Sequence, residues 1–240
     1  MSEAAELTEL VAEPETGRVF EQTIWPGVAD ATPAGRVRLD GIARWLQDLA
    51  YQDSVDAGMT EVGLWILRRL RIRVESFPRF GEPATLRTFC SGLGRFAAER
   101  RTSIASEVGR VECGALWVLL DPETGRPKRF PGEFAELYAP SAGGRDARVH
   151  PRHPDPPDGA PESSWVFRAT DLDLADHVNN SHYWEPLEQD LVGNEPDSID
   201  AEIEFRDPAK PGAARLIGEG DALWIASGGG ELHASLVVAR

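Results

Sequence analysis

The sequence predicts an α+β chain made of two successive halves, each running strand, loop, helix and then four strands. Three observations carry this. One segment, 39–57, has the apolar spacing of an amphipathic helix. Several runs switch to a period of two, as half-buried strands do. A breaker group then recurs at the same place in each half: Pro78, Gly81 and Pro83 in the first, Pro208, Pro211 and Gly212 in the second. An internal repeat on this scale points to tandem units of one plan.

Taken in order, 1–17 is an acidic tail without apolar periodicity, expected to fray. Residues 18–25 have strand character, broken by Pro26-Gly27. The helix at 39–57 places Leu39, Ile42, Ala43, Leu46, Leu49 and Ala50 on one face, with Asp40 at its start and Gly58 at its stop. In 65–74, Leu70, Ile72 and Val74 share one strand face, and Arg69, Arg71 and Arg73 share the other. Strands are expected at 84–90, 96–104 and 111–120, and a short helix at 130–138. The stretch 140–164 is rich in Pro and Gly and reads as a linker between a first domain, 18–139, and a second, 165–240. The second domain repeats the order: strand 165–170, helix 181–192, then strands at 201–206, 213–217, 221–226 and 231–238.

A net charge of -15 argues against non-specific binding to nucleic acid or anionic membrane. No apolar run reaches membrane-spanning length, and the acidic start is unlike a signal peptide, so the expectation is a cytoplasmic protein. Cys90 and Cys113 lie in strand-like runs with no CxxC spacing and are expected as buried, reduced thiols.

One stretch concentrates acid, imidazole and amide groups at a strand-to-helix turn: Asp171-Leu172-Asp173, then His177-Val178-Asn179-Asn180, then Ser181-His182-Tyr183. A carboxylate and a neutral imidazole can activate water at neutral pH. Free N–H groups at a helix start can stabilise an oxyanion. Asp-Leu-Asp-x-x-x-His-Val-Asn-Asn-x-x-Tyr resembles the signature of the plant and bacterial acyl-acyl carrier protein (acyl-ACP) thioesterases. The resemblance extends to the first half through Trp65-Ile66-Leu67-Arg68-Arg69, the turn from Phe77 to Gly81 and Leu86-Arg87-Thr88-Phe89. It implies a double hot-dog fold, two curved antiparallel sheets each wrapped round a helix. It also implies hydrolysis of acyl-ACP, or acyl-CoA, to a free fatty acid.

A thioester carbonyl is already electrophilic, so hydrolysis needs a held water, a base and oxyanion donors. Asp173 is the candidate base or water-orienting group, with His177 sharing or shuttling the proton; the resemblance assigns catalytic roles to both. The N–H groups of Asn179, Asn180 and Ser181 are candidate oxyanion donors, while the two Asn side chains suit fixing the turn. Two departures stand out. Ala175 replaces the family's Asn two residues before the His, and Pro208 and Ala209 align with its Glu and Cys. Asp207 replaces that Glu if the strand is offset by one residue; Glu204 is the further candidate. The second half has no Cys, which excludes a Cys-His-Asn mechanism there.

No metal or organic cofactor is expected, although His182 one turn beyond His177 raises the metal alternative. The expected partner is an acyl carrier protein or a CoA thioester, and the chain is expected to be a monomer or homodimer. Arg68, Arg69, Arg71 and Arg73 are candidate docking residues for an acidic carrier, against the plainer reading of a solvated sheet face. Two other functions compete: a decayed hot-dog protein that binds acyl chains without hydrolysis, favoured by Ala175, and a hot-dog dehydratase. Dehydratases of that fold usually set Asp and His one residue further apart.

Overall fold

The computed structural model describes residues 7–239. The first six positions of the expected tail lie outside the described residues.

The first half contains β1 (Val19–Ile24), α1 (Leu39–Asp56), β2 (Leu64–Ser76), β3 (Ala84–Leu93), β4 (Ala97–Ala105), β5 (Arg110–Leu120) and α2 (Gly132–Ala142). The second contains β6 (Glu162–Phe167), α3 (Glu185–Leu191), β7 (Ile199–Phe205), β8 (Gly212–Glu219), β9 (Ala222–Ser227) and β10 (Leu232–Ala239). All ten strands form one sheet in the order β1-β3-β4-β5-β2-β7-β10-β9-β8-β6, each neighbour antiparallel. Read inward from either edge, each half repeats one order: first strand, third, fourth, fifth, second. The repeat seen in the sequence is therefore a repeat of topology.

Helix α1 buries Ile42, Leu46 and Leu49, four and three residues apart, against one face of the sheet. The same core takes Leu70 and Ile72 from β2 and Ala201 and Ile203 from β7, so both halves share it. Gly58 takes a φ of +66° just past the helix, a conformation that costs glycine nothing. The second helix is shorter than expected. A 3-10 turn, Asn180–Trp184, precedes the α-helical residues Glu185–Leu191. Pro186 has no N–H to give to the preceding turn, and so sits in the first turn of α3.

Two arrangements join the halves. At the centre, β2 and β7 pair Arg69 with Glu204, Arg71 with Glu202 and Arg73 with Asp200. Behind α1, Glu188 of α3 forms a fully buried ion pair with Arg36, and its Oε2 accepts the Leu39 backbone N–H at 2.9 Å. That N–H is one of the four at the start of α1 that the helix itself cannot satisfy.

The face of the sheet opposite the core is covered by segments expected to be loose. Residues 7–17 lie on it as a strap rather than fraying: the Thr8 N–H donates to Glu202 at 2.7 Å, and Arg101 donates to the Val11 carbonyl at 3.0 Å. The 140–164 stretch is only partly a linker. Its first three residues end α2, which Gly143 caps at a φ of +57°, and its last three start β6. Between them Ala147 and His153 are buried against the sheet. Among the described residues, no helix is long and apolar enough to cross a membrane.

Asp40 supplies a pH test of this scaffold. It is fully buried in the first turn of α1. Burial alone would push its carboxyl up, but hydrogen bonds and charge from Arg38 and Arg44 outweigh that and hold its pKa below 3.8. A depressed folded-state pKa adds stability that is full above the unfolded pKa and is lost as the pH falls through the folded one. The gap in melting temperature between the wild type and Asp40→Asn should therefore be widest above about pH 5. It should narrow as the pH drops below 3.8, as thermal melts across that range would record.

Candidate functional site

The signature stretch folds as a tight loop pinned at both ends. Asp171 accepts the Arg168 N–H at 2.7 Å through its side chain and the Asn179 N–H at 2.8 Å through its carbonyl. Leu172 bridges to Val178, and the Asp173 N–H donates to the His177 carbonyl at 2.9 Å. The backbone therefore brings Asp173 and His177 to opposite sides of the loop's neck. Asp176 at the tip has a φ of +59°, which Asp tolerates better than most residues. Lys210 binds its carboxylate at 2.7 Å and holds its pKa low.

Asp173 is half-buried. Its Oδ1 accepts the Ala175 N–H at 2.8 Å, and the Asn179 amide lies 3.4 Å from Oδ2. His177 is also half-buried, and no hydrogen bond from the described residues reaches its ring. Asp207 lies exposed at the end of β7, with its carbonyl accepting from the His233 ring at 3.0 Å. The contact between this segment and the loop is made two residues further on. The Ala209 carbonyl accepts from the Val178 N–H at 3.0 Å, and the Ala209 N–H donates to the Tyr183 hydroxyl at 2.9 Å. The chain after β7 thus reaches the loop through Ala209, which is buried beside it. Glu204, the other acidic candidate, is on the far face of the sheet, bound to Arg69.

The three candidate oxyanion donors separate. The Asn179 N–H is committed to Asp171, and the Ser181 N–H to the Asn179 side chain at 3.0 Å. Ser181 is completely buried, and its hydroxyl donates to the same Asn179 oxygen at 2.8 Å. Asn179 therefore acts as a helix cap, as its residue type suggests. The Asn180 N–H is left as the remaining candidate of the three.

A residue that sequence reasoning missed connects this loop to a cavity. Gln47 of α1 donates to the Asn179 side-chain oxygen at 3.0 Å, and its own oxygen lies 3.4 Å from the amides of both Asn179 and Asn180. Gln47 also lines a mainly apolar slot of about 170 Å³ between α1, α2 and the first-half strands. Ala50, Trp65, Ala98, Trp117 and Phe134 form much of the wall. A smaller void of about 10 Å³ shares Gln47, Arg100 and Trp117 with it and runs on beneath α1. In the sequence, Ala43, Gln47, Ala50 and Ser54 form a line of small and polar side chains along one helix face, which does not by itself single out Gln47.

One end of the slot is polar. Arg100 binds Asp53 at 2.7 Å, and Asp53 also accepts from Arg18 at 2.7 Å and from the Tyr138 hydroxyl at 3.0 Å. Burial, then the charge of Asp53, pushes the Tyr138 phenol up to about 12, so it stays protonated as a donor at neutral pH. Cys90, on the slot wall, and Cys113 are free and buried; desolvation pushes Cys90 up to about 11 and Cys113 higher still. Both thiols are free and buried, as expected. His182 pairs with Glu185 at 2.7 Å, which raises its pKa. Among the described residues, no group of three or more His, Cys, Asp or Glu is placed to hold a metal ion.

The arginine stripe is only partly a solvated face. Arg69 is buried, with Glu204 at 2.8 Å, and Arg71 binds Asp200 at 2.6 Å. Arg73 stays about half exposed, with Glu75 3.4 Å away. Arg68, at a bulge in β2, donates to the Arg206 carbonyl at 2.8 Å.

Comparison with known proteins bears on the family and the fold. Residues 17–138 match the model of the acyl-ACP thioesterase N-terminal domain, and 156–207 match that of the C-terminal domain. An uncharacterised Mycobacterium tuberculosis protein, Rv2001, is 27% identical over 207 residues, covering 85% of this chain and 83% of its own. Oleoyl-acyl carrier protein thioesterase 1 of Arabidopsis thaliana is 24% identical over 186 residues, 64% of this chain and 51% of the plant protein. Among solved structures, an acyl-ACP thioesterase from Bacteroides thetaiotaomicron superposes with a TM-score of 0.77 at 15% identity, covering 92% of this chain and 96% of that one. The 12:0-ACP thioesterase of Umbellularia californica gives 0.72 at 18% identity, with coverages of 92% and 96%. At such identities the likeness establishes the double hot-dog architecture, and the two domain matches, the first covering half of the chain, establish descent. The chain belongs to the acyl-ACP thioesterase family.

Proposed function

We propose that the protein hydrolyses acyl thioesters of acyl carrier protein, or of CoA, with the acyl chain held in the slot beside α1. The observation that carries this reading is Gln47. One side chain both lines the slot and hydrogen-bonds the asparagines of the signature loop. A thioester whose acyl tail fills the slot would present its carbonyl near that loop.

In this reading Asp173 takes a proton from water, and the resulting hydroxide attacks the thioester carbon. The Asn180 N–H stabilises the oxyanion. The carbon–sulfur bond then breaks; the proton that Asp173 took from water passes, through His177 or solvent, to the thiolate, and free acid and thiol leave with Asp173 ionised again. Asn179 positions Asp173. Asp207 joins the reaction only through movement of the segment after β7, since its side chain is exposed at rest.

The test is a panel of acyl-ACPs and acyl-CoAs of graded chain length, read by thiol release. Release that disappears in Asp173→Ala and His177→Ala supports the proposal; tight binding of acyl-ACP without release overturns it. The slot adds a further expectation. Ala50→Phe fills part of the apolar volume and should lower kcat/KM for the longest accepted chains, about fourfold for each methylene no longer buried. Chains too short to reach Ala50 should be unaffected.

A further inference from the structure

A second cavity, of about 260 Å³, lies on the outer face of the sheet, away from the slot. Arg68, Arg69, Arg206, Glu204 and His150 line it. Its charge is lopsided for a chain with a net charge of -15. Glu204 is saturated: Oε1 accepts from Arg69 at 2.8 Å and from the Arg152 N–H at 2.8 Å, and Oε2 accepts from the His153 N–H at 3.1 Å. Beyond Glu204, two further carboxylates pair with these guanidinium groups: Glu202, fully buried behind the cavity wall and 3.6 Å from Nε of Arg69, and Asp155, largely exposed and 3.8 Å from Arg206.

Two donors in this cluster are buried and unused. Nη1 of Arg69, on a side chain 2% exposed, has no hydrogen-bond partner, and neither has Nε of Arg206. Buried guanidinium N–H groups without acceptors are costly, and are ordinarily met by an anion or by water. The cavity also lies at the functional end of the sheet. Arg68 is tied to the Arg206 carbonyl, and three residues on from Arg206, Ala209 supports the signature loop.

We infer that this outer cavity is a phosphate site, which holds the phosphate at the far end of a pantetheine arm while the thioester sulfur reaches the signature loop. Arg68 and Arg206 would supply charge-assisted hydrogen bonds from the rim, and Arg69 one from the wall. The inference rests on the thioesterase reading for the identity of the substrate, but the site can be tested without turnover. It also narrows the docking expectation: Arg71 and Arg73 play no part in it.

Binding of 4′-phosphopantetheine and of pantetheine to the wild-type protein, compared by titration calorimetry, tests this directly. About a tenfold preference for the phosphorylated arm is expected, a preference that Arg68→Gln and Arg206→Gln each erase. Acyl-CoA and acyl-ACP distinguish the source. A binding loss in both variants shared by the two assigns the site to pantetheine phosphate in general, and a loss confined to acyl-ACP assigns it to the carrier's phosphodiester; either supports the inference. Equal binding of the two arms by the wild type, which needs no variant to fold, overturns it, as does a preference that survives both substitutions. Absence of hydrolysis with the preference intact would sink the thioesterase reading and leave the phosphate site standing.

Discussion

Asp173→Asn is expected to lower kcat/KM for thioester hydrolysis by about 10²–10⁴-fold, the usual contribution of a positioned general base. The substitution is nearly isosteric. An amide oxygen can still accept the Ala175 N–H that Asp173 accepts at 2.8 Å. The 3.4 Å approach of the Asn179 amide is long enough to relax if the other terminus becomes an NH₂. The loop should therefore keep its shape, and the melting temperature should barely move. What is lost is the ability to take a proton. The size of the effect separates two roles for the carboxylate: a loss in kcat with KM unchanged marks a group acting in the transition state, and a rise in KM alone marks one that only holds substrate. Thiol-release kinetics on a carrier-linked substrate would measure both. Activity undiminished in Asp173→Asn would place the base elsewhere.

Glu188→Ala should be the most damaging single change to stability. Glu188 is 3% exposed, and its partner Arg36 is 2% exposed. Removing one member of a buried ion pair costs roughly 3–5 kcal/mol, and here it leaves the Arg36 guanidinium with only the longer, partly exposed contact to Glu195 at 3.6 Å. The same change strips an acceptor from the Leu39 N–H. At roughly 2–4 °C for each kcal/mol in a protein of this size, the melting temperature should fall by about 6–20 °C. Replacing both partners by apolar residues of similar volume should recover much of that loss, because a buried pair often adds little over good packing. A double substitution no more stable than Glu188→Ala would mean that the Leu39 N–H, rather than the stranded guanidinium, is the costly loss.

The elements set by local periodicity were legible. The spacing of Ile42, Leu46 and Leu49 marked α1, and Gly58 marked its end. Period two in β2 separated Leu70, Ile72 and Val74 from the arginines, and the structure buries the first group in the core. What covers the arginines was not legible. Their partners Asp200, Glu202 and Glu204 are about 130 residues away, and only the pairing of β2 with β7 brings the stripes together. The strap was illegible for a related reason. Residues 7–17 carry no apolar period; long-range hydrogen bonds hold them, such as that from Thr8 to Glu202, 194 residues distant. At the site, the signature marked the loop and its residue types marked Asn179 as a cap, while the partner from α1 escaped notice. A single Gln on a helix face says little until the fold shows which loop it meets.

The charge alternation across the central strand pair also bears on how such a molecule can assemble. Antiparallel pairing of β2 with a second copy of itself would set arginines among arginines, and β7 against β7 would crowd carboxylates; like charges facing across a ladder repel. Each seam therefore rejects its own kind and accepts the other. Two polypeptides obtained by cutting between the repeats would be expected to recombine only as an unlike pair.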